Sequence, residues 1–207
     1  MSSREPRLKP IRISDLSPTQ MTIGLREVDE KRRQWRERRG ERAGEFLGGH
    51  MIPVILGPKG AHYVIDHHHL VRALHDEGVK DILVDVVADL GGLKRKEFWV
   101  FLDNRHWCHP YDKEGRRRDF DAIPDSIAEM QDDPYRSLAG ALRRAGGYAK
   151  DTTPFSEFIW ADFLRRRIKP HTVGEDFQGA LTKALVLSRS GRAAHLPGWC
   201  GPSPTDD

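Results

Sequence analysis

The amino-acid sequence predicts a mixed α/β (α+β) fold: a small mixed sheet with flanking helices, followed by a helical C-terminal half. Two apolar runs, 51–56 and 62–65, are separated by the turn sequence Gly-Pro-Lys-Gly at 57–60, which is typical of a β-hairpin. A helix-like stretch and then a strand rich in Val and Ile, 82–90, follow the hairpin. This order predicts a sheet that contains both parallel and antiparallel strands.

The composition limits the classes to which the protein can belong. The chain has 207 residues, of which 31% are charged and 38% hydrophobic, as in a globular protein with one core. No apolar run approaches the roughly 18 residues of a membrane helix, and the N-terminus lacks the apolar core of a secretory signal. Cys108 and Cys200 do not make a disulfide framework. We therefore expect a cytoplasmic protein with free thiols and no membrane partner.

The elements before the hairpin are short and polar. The sequence predicts a brief strand at 11–13, a turn at 15–20, a charged helix at 25–39 and a glycine-rich loop at 40–49. We divide the whole chain into four parts, a loose segment 1–10, an α/β core 11–110, a helical part 111–195 packed on the core, and a tail 196–207.

Residues 62–78 carry the densest group of polar side chains at a structural junction. A short strand leads to Asp66, then to His67, His68 and His69, and then to a helical pattern that Gly78 ends. Asp is a favoured N-cap, so Asp66 is predicted to cap this helix. The amides of a helix's first turn and the helix dipole bind anions, and His68 and His69 would add donors to a phosphate.

The second half is predicted to be helical. Apolar residues recur at helical spacing in the stretches 94–105, 123–130, 133–144, 154–164 and 171–190. Asp133 before Pro134 is a cap followed by proline at the first helical position. An apolar stripe at Phe155, Phe158, Ile159 and Phe163 predicts a core-facing helix side, and Trp160 is expected in the core.

These stretches resemble a known family. The run from Tyr63 to His69 resembles the strand-to-helix phosphate motif of the ParB/sulfiredoxin fold, Asp-Gly-His-His-Arg. Residues 18–20 and 24–28 are similar to the N-terminal part of the "putative ParB-like nuclease" group, and 133–137 and 155–165 to its C-terminal half. The motif's glycine is His67 here and its arginine is Leu70. The motif holds no cysteine, so sulfiredoxin activity is set aside, and no helix-turn-helix follows, so centromere binding is not expected.

The resemblance implies site residues and ligands. Glu27 would be a general base and Asp66 a metal or substrate ligand, while His67, His68, His69, Arg72 and Arg136 would bind a phosphate. ATP or another nucleotide with Mg²⁺ would be the bound compound, in a phosphoryl transfer or a hydrolysis. The structural alternatives are Glu27 as a first-turn helix carboxylate, Asp66 as a simple cap, His68 and His69 as buried structural histidines, and Arg136 as an ion-pair partner.

Two further interpretations concern metals and nucleic acids. Consecutive helical residues point about 100° apart, so the three histidines cannot all bind one ion, and we predict no metal site built by the protein alone. The arginine-rich segment Arg116-Arg117-Arg118 is either solvated surface or a contact to nucleic acid. A nuclease and a non-catalytic module that binds DNA or a partner protein are therefore the alternatives to a nucleotide-dependent enzyme.

Overall fold

The computed structural model describes residues 8–38, 40 and 48–202. Most of the predicted loose segment 1–10, of the predicted loop 40–49 and of the end of the tail lies outside the described residues. The chain divides into two compact units, Met1–Asp132 and Asp133–Asp207. The structure therefore groups 111–132 with the first unit, whereas the sequence-based division was at residue 110.

The first unit is built on a mixed five-stranded sheet. The strands of this unit are β1 (Leu8–Arg12), β2 (Leu16–Pro18), β3 (Thr22–Ile23), β4 (Ile52–Leu56), β5 (His62–Val64), β6 (Asp81–Asp89) and β7 (Gln131–Asp132). The order in the sheet is β1-β6-β4-β5-β2, while β3 and β7 form a separate parallel pair. β4 is antiparallel to β5 and parallel to β6, which confirms the hairpin and the mixed sheet.

Seven α-helices occur among the described residues. They are α1 (Leu25–Arg38), α2 (His68–Asp76), α3 (Arg95–Asn104), α4 (Pro134–Arg144), α5 (Ser156–Arg165), α6 (Pro170–Glu175) and α7 (Phe177–Arg189). No helix in the described part of the chain combines the length and the apolar character that crossing a membrane requires.

The two faces of the sheet have separate apolar clusters, because successive strand residues point to opposite sides. Val54 and Val64 pack in one cluster with residues of α1 and α2, such as Val28 and Leu74. The next residue of β4, Ile55, joins Tyr63 and the α3 residues Phe98 and Trp99 in the other cluster. The ring of Tyr63 lies 4.6 Å from that of Phe98 and 5.5 Å from that of Trp99, centroid to centroid. Helices thus cover both faces of the sheet.

The predicted turn at 15–20 is wrong for its first half. Leu16 and Pro18 are buried on either side of the less buried Ser17, and β2 pairs in parallel with β5. A run of three residues has too little alternation to stand out in a sequence. β2 is an edge strand, and an edge strand tolerates a proline because its missing N–H is not needed by a second neighbour.

Three helix predictions also need correction. The predicted helix 123–130 is only a 3₁₀ turn, Ile127–Glu129, which Ser126 caps after Pro124. The predicted helix 171–190 is two helices, because Asp176 accepts the amide of Gly179 and starts α7 there. The predicted helix 154–164 begins only at Ser156, and the residue that precedes its first turn is Phe155, at φ 57°.

The second unit has its own core around α4 and α5. Trp160 is fully buried and its ring stacks on Tyr148 with centroids 4.3 Å apart, which confirms its predicted core position. The predicted apolar stripe is only partly correct, since Phe163 is buried but Ile159 is 39% exposed. As predicted, Asp133 caps α4 and accepts the amide of Tyr135 at 2.9 Å.

Candidate functional site

The start of α2 is the structural centre of the candidate site. His67, in the left-handed conformation with φ 64° and ψ 23°, is the residue that precedes the first helical turn. Asp66 is exposed, and its Oδ1 accepts the His67 amide at 2.6 Å. The prediction that Asp66 is the N-cap is therefore wrong by one residue. The predicted end of the helix is confirmed, since Gly78 adopts φ 75° and its amide donates to the carbonyl of His75.

The left-handed residue explains why the resembled motif has glycine at this position. A residue with a Cβ pays about 1–2 kcal/mol in this conformation, whereas glycine adopts it freely. In this chain His67 adopts it, and its side chain is exposed at the start of the helix. His67 is thus placed where a ligand at the helix N-terminus can reach it.

His68 has a structural role. Its side chain is only 4% exposed, and Nε2 accepts the backbone amide of Thr19 at 3.3 Å. The hydroxyl of Thr19 in turn donates to the carbonyl of Val64 at 2.8 Å. An Nε2 that accepts a hydrogen bond requires the tautomer with its proton on Nδ1. We therefore assign His68 to fastening the segment 19–24 onto α2; its donation to a phosphate stays a prediction.

His69 brings Glu27 to the first turn of α2. The Nε2 atom of His69 lies 3.1 Å from Oε2 of Glu27 and 3.2 Å from the amide nitrogen of Gly24. The two side chains are only 15% and 11% exposed. An unprotonated Nε2 accepts from Gly24, and a protonated Nε2 donates to Glu27. The carboxylate of Glu27 is thus held next to a group that can exchange a proton with it.

The start of α1 is fixed by a residue that the sequence analysis missed. Oδ1 of Asp132, on β7, accepts the amide of Leu25 at 2.9 Å. The amides of Glu27 and Val28 donate to the carbonyl of Gly24, which begins the helix. Because β7 pairs with β3, the first turn of α1 is held in register with the segment that His68 and His69 contact. Asp132 thereby positions Glu27.

Arg72 contacts the framework of the first unit. Its Nε donates to Asp76 at 3.0 Å, and its Nη1 lies 3.3 Å from the carbonyl oxygens of Ile127 and Met130. These contacts hold the end of the first unit against α2. We therefore assign the guanidinium to structure; a role in phosphate binding stays a prediction.

Arg136 belongs to the second unit and forms an ion pair with Glu157 there. Arg143 shares the same carboxylate at 2.9 Å, and the guanidinium of Arg136 lies 5.3 Å from the ring centroid of Phe158. These contacts match the ion-pair alternative given for Arg136 in the sequence analysis. A phosphate contact of this residue also stays a prediction.

The arginine-rich segment is an ordered loop around Asp112. This carboxylate accepts the amide of Arg116 at 2.8 Å and the guanidinium of Arg118 at 2.6 Å, while Arg117 pairs with Asp103. Burial alone would raise the pKa of Asp112, but the Arg116 amide and the Arg118 guanidinium outweigh it and lower the pKa. Two of the three arginines therefore already neutralise carboxylates of the first unit.

The described residues contain no group of three or more His, Cys, Asp or Glu side chains placed to hold a metal ion. Asp66 is an exposed carboxylate beside the start of α2. A Mg²⁺ ion that arrives with a nucleotide needs only one or two protein carboxylates, because phosphate oxygens and waters complete its shell. The residues present therefore fit a Mg–nucleotide better than a permanently bound metal.

Comparison with known proteins places these residues in a family context. The model of the family described as "Putative ParB-like nuclease" matches residues 9–166 of the chain. The crystal structure of protein Atu1540 from Agrobacterium tumefaciens is 50% identical, covers 96% of this chain and 100% of its own, and superimposes with a TM-score of 0.89. No curated protein matches the sequence.

Proposed function

Because the chain belongs to the family described as "Putative ParB-like nuclease", we propose that its first unit binds a nucleotide or another phosphorylated ligand at the start of α2 and catalyses phosphoryl transfer or hydrolysis there. The observation that carries this proposal is the contact between Oε2 of Glu27 and Nε2 of His69, 3.1 Å apart, in the first turn of that helix. This contact supports the proposal because it joins two groups that can exchange a proton, beside a helix terminus whose amides and dipole favour an anion.

The ligand's phosphate would lie against the first turn of α2. A helix N-terminus favours an anion through its amides and its dipole, and His67 adds an exposed ring that can donate to a phosphate oxygen. Asp66, whose Oδ1 already accepts the His67 amide, would offer its other oxygen to the Mg²⁺ of a nucleotide. That ion would neutralise charge on the phosphates when bound.

Glu27 would be the general base. Phosphoryl transfer needs a group that takes the proton of the attacking hydroxyl or water, and a carboxylate suits this task. When Nε2 of His69 is unprotonated, it can take this proton on from Glu27, because it faces Oε2 directly. His68 and Asp132 contribute by fixing the segment 19–24 and the start of α1.

The family description favours a second candidate function, cleavage of a nucleic-acid phosphodiester. The same groups would serve, since a phosphodiester is also attacked at phosphorus by an activated water. A nucleic acid would in addition extend to a basic surface such as the loop of Arg116, Arg117 and Arg118. Two of these arginines are paired with Asp103 and Asp112, which lowers the positive charge available there.

Calorimetric titration of the full chain separates the two candidates. ATP, ADP, CTP and GTP, each with Mg²⁺, test the compact ligand, and a short DNA duplex at several salt concentrations tests the nucleic acid. If the ligand is a nucleotide, we expect saturable nucleotide binding whose affinity does not change when all three arginines of the loop are replaced by glutamine. If the protein is a nuclease, we expect its affinity for the duplex to fall as the salt concentration rises. In the variant with three glutamines, the affinity should be lower and its salt dependence weaker, by up to about three phosphate contacts. Absence of both kinds of binding in the wild type would overturn the proposal.

A further inference from the structure

A cavity of about 700 Å³ lies within the second unit, and none of the proposed catalytic or phosphate-binding residues is part of its lining. This volume is within the range of pockets that bind small molecules, roughly 300–1,000 Å³. Its wall from α5 and the turn that follows includes Ile159, Phe163 and Arg167, and its wall from the segment after α7 includes His195, Leu196 and Pro197. Four of these six residues follow position 166, where the family match ends.

The wall after α7 is firmly attached to the rest of the unit. The indole nitrogen of Trp160 donates to the carbonyl of Pro197 at 2.8 Å, and the carbonyl of Gly198 accepts the amide of Ala149 at 2.8 Å. Gly198 adopts φ 70°, and a Cβ there would lie 2.1 Å from the carbonyl oxygen of Ala149, so only glycine fits. The cavity is therefore preformed and does not depend on a loose tail.

The two arginines that line the cavity differ in whether a carboxylate pairs with them. The guanidinium of Arg166 lies 2.7 Å from Asp162, which balances it. The guanidinium of Arg167 lies 3.8 Å from the ring centroid of Phe163 and donates to the Phe163 carbonyl at 3.0 Å. No carboxylate in the described part of the chain is within ion-pair distance of Arg167. The cavity thus contains one fixed cation whose charge no acid of the described residues neutralises.

The rest of the lining is mixed: Ile159, Phe163, Leu196 and Pro197 are apolar, and Thr153, Asp162, Arg166 and His195 are polar or charged. Among the apolar residues of the lining, Phe163 and Leu196 are buried and Ile159 is 39% exposed, whereas Trp160, the next residue of α5, is in the core. The exposed part of Ile159 is apolar area that a ligand in the cavity can cover. A guanidinium held by a ring and a carbonyl still has N–H groups in a planar fork, which matches the two oxygens of a carboxylate or phosphate.

We propose that this cavity is a second ligand site, which binds a small amphipathic anion. Its carboxylate or phosphate would pair with Arg167, and its compact apolar body would cover Ile159, Phe163 and Leu196. Arg167 disfavours a cationic ligand, and the carboxylate of Asp162, which also lines the cavity, is already paired with Arg166. A neutral apolar ligand would leave the charge of Arg167 without a partner. The site is independent of Glu27 and α2, so it stands whether or not the first unit is an enzyme.

Titration of the full chain with phenylacetate, phenyl phosphate and neutral phenylacetamide tests this site, with binding followed by calorimetry and by NMR. We expect at least one of the two anions to bind, the amide to bind at least tenfold more weakly, and the preferred anion to identify the head group. Arg167→Gln should weaken anion binding about 10- to 100-fold, the effect of one charge-assisted pair. Lys183→Gln, which removes an exposed charge of the same unit outside the cavity, should leave it unchanged.

A second variant keeps the test independent of the packing of Arg167 on Phe163. Ile159→Glu changes an exposed position, so the fold is retained, and it adds a negative charge to the cavity wall. It should weaken anion binding at least tenfold. Equal binding of anion and amide, unchanged affinity in both cavity variants, or no binding of either anion to the wild type at millimolar concentration would overturn the proposal.

Discussion

His69 holds the carboxylate of Glu27 at 3.1 Å from its Nε2 atom, although the two residues come from different helices and are both mostly buried. The same nitrogen lies 3.2 Å from the amide of Gly24. One ring nitrogen cannot accept from an amide and donate to a carboxylate at the same time, so the protonation state of His69 selects between these partners. The proposed chemistry depends on this arrangement.

Replacing Glu27 by glutamine separates catalysis from binding. The amide keeps the size of the side chain but accepts no proton, so turnover of a nucleotide should fall by a factor of about 10²–10⁴, the usual contribution of a general base. Nucleotide affinity should change less than about threefold. Steady-state rates and calorimetry on the same preparation measure both quantities. Glu37→Gln, an exposed position in the last turn of α1, is the matched control and should leave both unchanged. Equal loss in rate and affinity would contradict the role of Glu27.

His68 and His67 should respond to alanine in opposite ways. His68→Ala leaves the buried amide of Thr19 without its acceptor, so the free energy of unfolding should fall by about 1–3 kcal/mol. His67→Ala removes an exposed ring and should weaken nucleotide binding by about 1.5–3 kcal/mol at nearly unchanged stability. Urea unfolding and calorimetry on both variants give the comparison. If His68→Ala is as stable as the wild type but loses ligand, His68 is a ligand residue and its structural assignment is wrong.

Glycine at position 67 should stabilise the protein. His67 has φ 64°, and glycine removes the steric cost of that conformation while it increases the entropy of the unfolded chain. The net gain should be about 0.5–1 kcal/mol, which raises the midpoint of thermal unfolding by about 1–4 °C in a chain of this size. His67→Ala, which keeps the Cβ, should show no gain. A glycine variant that unfolds below the wild type would mean that the histidine ring makes a stabilising contact.

Glu77 should make the first unit sensitive to acid. Its carboxylate is hydrogen-bonded by Arg36 and Arg32 of α1, and this lowers its pKa from 4.5 to about 2. A depressed folded-state pKa stabilises the protein above the unfolded value, and this stabilisation is lost as the pH falls from about 4.5 to 2. Glu77→Gln should therefore lower the unfolding midpoint by about 2–4 °C at pH 7, the shift that ~1 kcal/mol produces, and much less near pH 2.

The control for this prediction is Glu129→Gln, an exposed carboxylate of the same unit. It should change the unfolding midpoint little at either pH. Thermal unfolding followed by circular dichroism at pH 7 and at pH 2–3 gives both curves. A difference between wild type and Glu77→Gln that stays constant across this range would show that the two arginines do not act through the charge of Glu77.

Local features of the sequence predicted most of the first unit. The hairpin of β4 and β5, the helix that follows and the strand β6 depend on turn residues and apolar spacing within a few positions, and all three are present. Asp133 and Pro134 likewise begin α4 as their side-chain chemistry requires. The error at Asp66 is also local: a favoured cap residue is present, but the chain reverses through a left-handed residue, and that makes His67 the cap.

Features that depend on distant parts of the chain could not be predicted in this way. His68 accepts the amide of Thr19, 49 positions earlier, so the sequence alone could not distinguish an inward-facing ring from a phosphate ligand. Asp132 accepts the amide of Leu25 across 107 positions, and no local pattern marks it. The expectation that Glu27 acts at the start of α2 came only from the family resemblance, because its distance from His69 depends on how α1 packs against α2.

The phosphate site at the start of α2 is best tested by an NMR titration of the isotope-labelled full chain with Mg–ATP and, in parallel, with a short DNA duplex. We expect the amide resonances of residues 66–69 and 27 to shift in a saturable way with the phosphorylated ligand that binds, whichever of the two it is. Saturable shifts confined to residues 116–118, with 66–69 unchanged, would contradict a phosphate site at the start of α2.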